Sequence, residues 1–221
     1  MSSPPPPAQR LRLRYGKTGD ARWVGHLDEG RFWERVFRRV DLPLAYSHGF
    51  NPQPKVQFAA ALPVGVAGVN ELLDVWLLEP VDPAIWAQRI GLSLPPGWAL
   101  HEAQQVPLDL PAMQSSLRFA AYEVRWGSDL SPQWLKERVA WLLAQTTLVR
   151  PHHKEPDRSY DLRPLIERIV VAPIAAAGVD VTLHSGPERS GRITEVVAAL
   201  ELEDIRHEIT RTALVLAEEM A

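Results

Sequence analysis

The stretch Tyr46-Ser47-His48-Gly49-Phe50-Asn51-Pro52-Gln53-Pro54-Lys55 gathers side chains suited to recognition chemistry. His48, Asn51 and Gln53 offer hydrogen-bonding edges, Lys55 a cation, and Tyr46 and Phe50 aromatic faces. No helical or strand period runs through its start, and its glycine and two prolines describe a stiff exposed loop. Val56, Phe58, Ala60 and Leu62 then alternate, so the loop feeds a strand with one buried face. A loop stiffened by prolines and anchored on a strand holds polar groups ready for a ligand. The same residues also read as a Pro-rich turn with a solvated His and Lys.

Two arginines add charge to this front. Arg12 lies in the strictly alternating Arg10-Leu-Arg-Leu-Arg-Tyr-Gly16, and Arg35 in a helical stripe with Arg31 and Arg38, a stripe that reads equally as a solvated helix face. Basic side chains with interleaved aromatics suit single-stranded or looped RNA. The candidate substrate-binding set is therefore Arg12, Arg35, Tyr46, His48, Phe50, Asn51, Gln53 and Lys55, with RNA as a partner. Catalytic carboxylates are harder to find, because nothing in the sequence brings two acids to a set separation. Asp161 in Tyr160-Asp161-Leu162-Arg163 is a candidate that Arg163 can orient, although a structural ion pair explains the motif as well. No phosphate-binding glycine loop, dinucleotide fingerprint or nucleophile elbow is present. Ser185-Gly-Pro-Glu-Arg-Ser-Gly191, before a helix, reads as an anion cradle or a plain turn.

The chain has 221 residues, 46% apolar and 23% charged, and no cysteine. Disulfides, a thiol nucleophile and any Cys-held iron–sulfur or zinc site are excluded within it. His26-x-Asp28 and His152-His153 lack a third ligand at helical spacing, so no metal is expected. No apolar run approaches the roughly 20 residues of a membrane span, and the Pro-rich start lacks a signal-peptide core, so a cytoplasmic location without membrane contact is expected. Residues 1–60 hold ten Lys/Arg against five Asp/Glu, whereas 61–221 hold fourteen against twenty-two. A basic front on an acidic body attracts a polyanion locally.

The elements that must position these groups follow from periodicity. Residues 10–16 form a strand with Leu11, Leu13 and Tyr15 inward and a basic open face. Lys17 to Asp20 is turn chemistry, and Arg22 to Val24 resumes the strand. His26 to Val40 is a helix burying Trp33, Val36, Phe37 and Val40, with Asp28 as cap or partner of Arg31. Val64 to Asn70 connects to a strand from Glu71, Asp82-Pro83 opens a second helix, and Trp98 to Val106 is the last strand. This βαββαβ order is the ferredoxin-like arrangement. After a linker at 109–116 it recurs: strand 117–126, a helix from Ser131-Pro132 with Trp134, Leu135, Val139 and Leu142 inward, a short strand at 146–150, strand 179–184, helix 192–200 and strand 205–216. Residues 160–171 stay open between helix and strand. The fold class expected is α+β, with two ferredoxin-like domains in tandem, at 10–108 and 117–221, behind a disordered Pro-rich arm at 1–9.

The loop, followed by the alternating strand and Ala61-Leu-Pro-Val-Gly65, resembles the signature of the radical-SAM-linked protein family, a bacterial domain of unknown function fused to or encoded beside a cobalamin-domain radical SAM protein. His26-Leu27-Asp28, Arg38-Arg39, Glu71 with Asp74, Tyr160 to Pro164 and Thr210-Arg211-Thr212 fit the same pattern, so the resemblance runs from about residue 10 to 216. Gln53 departs from it where a histidine is expected, and Gly68 where a serine is. The change at Gln53 points to a position that binds rather than reacts. The resemblance implies a radical SAM partner that carries the iron–sulfur cluster, SAM and cobalamin, because this chain has no cysteine and so no cofactor of that kind of its own. Genes of the family lie near those for ribonuclease and ribosomal proteins, which tilts the substrate toward tRNA or rRNA. The leading expectation is a non-catalytic, substrate-binding accessory protein. Two alternatives are a stand-alone RNA-modifying enzyme resembling pseudouridine synthases, with Asp74 or Asp161 as catalytic residue, and a structural adaptor between proteins.

Overall fold

A computed structural model describes residues 5–127, 130–151, 157–172 and 177–220. The chain divides into two compact units, Met1–Ser116 and Leu117–Ala221, and the class is α+β. The His152–His153 pair, like the start of the Pro-rich arm, lies outside the described residues.

The first unit contains β1 (Gln9–Lys17), α1 (His26–Arg39), β2 (Val56–Phe58), β3 (Ala67–Leu77), α2 (Pro83–Ser93), β4 (Trp98–Val106) and α3 (Met113–Ser116). Its strands pair antiparallel in the order β4-β1-β3-β2. Both long helices pack on one sheet face: Trp33, Val36 and Phe37 of α1 and Ile90 of α2 join Leu11, Leu13, Leu73, Val75 and Leu77 in one buried cluster. Asp82 caps α2 by accepting from the Ala84 and Ile85 amides, with Pro83 at the first helical position. The α1 C-terminus closes with Asp41 N–H on Arg38 O and Leu42 N–H on Phe37 O, and Asp41 takes φ 58° to do so.

Several expectations are corrected here. Gln9 belongs to β1 rather than to an arm: it is buried and exchanges hydrogen bonds with Val81. Lys17 is no turn residue but the buried end of β1, its Nζ donating to Glu29 Oε2 at 2.9 Å and to Val24 O at 2.6 Å. Residues 19–23 form a 3-10 turn instead of resuming the strand. Ala67 to Asn70 extend β3 rather than forming a connection, and β2 stops at Phe58. The residues at 109–116, expected as a linker, dock on the first unit, where Arg10 donates to Leu110 O (2.6 Å) and Pro111 O (3.2 Å) and Met113 is buried.

The second unit contains β5 (Leu117–Trp126), α4 (Pro132–Ala144), the hairpin β6 (Val149–Pro151) and β7 (Ser159–Asp161), then β8 (Ile166–Val171), β9 (Gly178–His184), α5 (Ile193–Ala199) and β10 (His207–Leu216). Its main sheet runs β10-β5-β9-β8, all antiparallel. In α4, capped by Ser131, Leu135, Val139 and Leu142 are buried as expected, but Trp134 lies 40% exposed on the outer face. The segment at 160–171 resolves into strand, a 3-10 turn at Arg163–Leu165, and strand.

Candidate functional site

After α1 the chain turns back along β3. Leu44 bridges Leu77, and the peptide group of Trp76 then holds both arms of the following loop: Ala45 N–H donates to Trp76 O (2.8 Å) and Trp76 N–H to Lys55 O (3.0 Å). Lys55 N–H closes the arms on Ala45 O, and Tyr46 bridges Pro54. One step further out, Ser47 N–H donates to Gln53 O at 2.8 Å and Gln53 N–H to Ser47 Oγ at 3.0 Å. Beyond this double clasp only His48 to Pro52 remain, with Gly49 at φ 130°, a conformation that glycine adopts without strain. Pro52 and Pro54 fix two more backbone angles.

The side chains divide sharply at the clasp. Tyr46 is half-buried and packs on the first unit's core, so it anchors the loop rather than offering a stacking face. His48 through Gln53 are all exposed, and Phe50 is 104% exposed, its ring in water. Lys55 is half-buried at the base. The structure thus brings His48, Phe50, Asn51, Gln53 and Lys55 together on one pinned projection.

Arg12 does not join them. Its side chain lies on the sheet face opposite α1, 7% exposed, with Nε on Asp74 Oδ1 at 2.9 Å and Nη2 on Oδ2 at 3.1 Å. Arg10 grips the same carboxylate through Nε (2.9 Å) and Nη2 (2.5 Å), and its guanidinium stacks 4.6 Å from the Trp76 ring centroid. The face expected to be open and basic is therefore a covered ion cluster. Arg35 is exposed on the outer side of α1, so the sheet and helix separate it from Arg12. Of the ten basic residues in 1–60, Arg10, Arg12 and Lys17 are buried, which weakens the basic front. Among the rest, Arg31 pairs with Asp28 (3.1 Å) and Arg38 faces Glu34 (3.9 Å).

Both candidate catalytic carboxylates are engaged in holding the fold. Asp74 is fully buried, with both oxygens held by guanidinium groups. Asp161 Oδ1 accepts from the Leu148 amide (2.7 Å) and the Arg163 amide (3.0 Å), which fastens a turn. Arg163 orients Asp161 by its backbone and sends its guanidinium to Ile166 O and Leu143 O instead. Burial, helped by Glu195, raises the pKa of the neighbouring Tyr160 phenol, against the opposing pull of Arg192 and Arg150. The Ser185 to Gly191 segment is a turn closed by a Ser185–Ser190 bridge.

A second buried cluster, invisible in the periodicity, joins Tyr15 Oη to Glu29 Oε1 (2.6 Å) and Lys17 to Glu29 Oε2. Its only sequence signal is polar residues at core positions of a strand and a helix. A cavity of about 640 Å³ in the second unit is lined by Arg125, Trp126, Leu130, Ile205 and His207, with Arg125 engaged by Asp180 and Glu123. Among the described residues no group of three or more His, Asp or Glu stands ready to hold a metal ion, and no helix is long and apolar enough to cross a membrane.

The chain belongs to DUF2344, a family described as an uncharacterized protein conserved in bacteria, whose pattern matches residues 10–197. No curated protein matches it. Among solved structures it is similar to a chain in a crystal structure of a Cbf5-Nop10-Gar1 complex, at 10% identity and a TM-score of 0.50, covering 92% of this chain and 48% of that one. A chain in a structure of an H/ACA RNP bound to a substrate RNA containing 2'-deoxyuridine gives 10% identity and a TM-score of 0.48, covering 92% and 47%. At such identities the likeness is one of fold alone, and this chain spans about half the length of those it resembles.

Proposed function

We propose that this DUF2344 protein is an accessory RNA-binding protein: it captures single-stranded or looped RNA, of the tRNA or rRNA class, on the 46–55 loop and presents it to a radical SAM partner in the cytoplasm. Its two units act as ferredoxin-like domains, and the partner supplies the iron–sulfur cluster, SAM and cobalamin. One observation carries the reading. A loop clasped at its base by the Ser47–Gln53 pair holds an aromatic ring, an imidazole and two amides exposed to water. Such a loop has been ordered in advance of its ligand, and preordering lowers the cost of binding. Bases offer what these groups take: faces for Phe50 and edges for His48, Asn51 and Gln53, while Lys55 and Arg35 meet phosphates. Four-stranded antiparallel sheets often carry RNA, an analogy of fold that supports the reading without deciding it.

The test is binding of the purified protein to bulk cellular RNA across a salt series. Lys55→Ala with Arg35→Ala lowers affinity and flattens the salt slope by about one for each phosphate that is no longer neutralised. An unchanged affinity and slope, or no binding at low salt, overturns the proposal. Recovery of a protein complex that survives high salt without nucleic acid would favour the adaptor reading instead.

A further inference from the structure

We infer that Phe50 is a wedge: it enters between two neighbouring bases of the bound RNA and holds their stack open, while His48, Asn51 and Gln53 form hydrogen bonds with the base set free. The inference rests on the RNA-binding reading above and adds what the loop does to its substrate.

An aromatic side chain that serves as a stacking platform rests one face on its own protein and offers the other to a base. Phe50 rests on nothing, being 104% exposed at the apex of the loop. A ring with both faces free satisfies both only by lying between two partners, and a base step supplies them. Inserted apolar side chains are an established means of unstacking nucleic acid, provided that the segment behind them does not yield. Here it is braced by the Ser47–Gln53 clasp, by Pro52 and Pro54, and by Trp76 holding both arms. A flexible loop would fold its phenylalanine back onto the protein to hide it from water. The hydrogen-bonding groups are placed to follow: His48 lies two residues before the ring and Asn51 immediately after it, both exposed. A base pushed out of its stack exposes the edges that such groups read.

The experiment uses the full chain and an oligoadenylate with one internal 2-aminopurine, whose emission is quenched while it is stacked, and a terminal fluorescein for anisotropy. At saturation the wild type raises the 2-aminopurine emission. Phe50→Ala abolishes that rise and weakens binding about tenfold, and Phe50→Tyr keeps both. Because the ring touches nothing in the fold, Phe50→Ala unfolds at the wild-type midpoint, so the loss cannot be laid to misfolding. Saturating anisotropy without an emission rise, or a rise that survives Phe50→Ala, overturns the wedge and leaves RNA binding intact. No anisotropy change with the wild type at low salt overturns both.

Discussion

Replacing Asp74 by alanine separates a structural carboxylate from a catalytic one. In the folded chain its Oδ2 accepts from Arg10 Nε and Nη2 at 2.9 and 2.5 Å, and its Oδ1 from Arg12 Nε at 2.9 Å, with side chains 0%, 1% and 7% exposed. Truncation takes from two buried guanidinium groups the carboxylate that both of them grip. Breaking a buried ion pair in this way costs about 3–5 kcal/mol. Arg10 keeps Leu110 O, Pro111 O and the Trp76 face, which places the expected cost near the lower end, about 3 kcal/mol. Against the roughly 5–15 kcal/mol of a typical domain, that is a large share of the first unit's stability. Urea unfolding followed by tryptophan fluorescence reads it, since Trp23, Trp33, Trp76, Trp86 and Trp98 report on this unit. Arg10→Met, Arg12→Met and Asp74→Leu combined should recover part of the loss, because the guanidinium groups leave together with the carboxylate they grip. A shift below about 1 kcal/mol for Asp74→Ala, the value of an exposed pair, would refute the reasoning and make Asp74 a candidate reactive group again.

Other consequences are checked as simply. Gly68→Ala sets a methyl group 2.6 Å from the Glu71 side chain, which is buried and has little room to retreat, so it destabilises the first unit by about 1–3 kcal/mol in the same urea assay. Ser47→Ala removes one hydrogen bond of the clasp: unfolding moves by no more than about 1 kcal/mol, yet RNA affinity measured by anisotropy falls because the loop must then be ordered on binding. Asp161→Ala strands the Leu148 and Arg163 amides and costs the second unit about 1–3 kcal/mol, with RNA affinity unchanged. The Tyr160 phenol, raised above its ordinary value of 10.0, keeps its proton longer in the folded than in the unfolded chain. Its contribution to stability is whole below pH 10.0 and is lost as pH rises through the folded value; Tyr160→Phe flattens that alkaline decline in a pH series of thermal melts.

Local chemistry that the chain writes in adjacent residues is legible in the sequence. Asp82-Pro83 and Ser131-Pro132 mark two helix starts, and the strands at 98–106 and 117–126 fall where alternation puts them. What a face packs against is written elsewhere in the chain, and there periodicity misleads. Alternation assigns Arg10 and Arg12 to the face opposite Leu11, but only the register that sets Arg12 beside Asp74 shows that the face is covered. Lys17 resembles turn chemistry because its partner, Glu29, lies on the next element. Trp134 follows helical spacing and still points outward, since hydrophobicity does not say how wide the buried stripe is. The loop's residue types point to recognition on their own. That Tyr46 anchors while Phe50 projects depends on the Ser47–Gln53 clasp, a pairing no periodicity announces.

The most direct test of RNA capture by the 46–55 loop is to irradiate cells or lysate with ultraviolet light, recover the protein with covalently bound RNA, and map the nucleotide adducts by mass spectrometry. The expected result is adducts on residues 46–55, centred on Phe50 and His48, that disappear with Phe50→Ala. Adducts confined to other segments, or none above the level of an unrelated acidic protein, would contradict it.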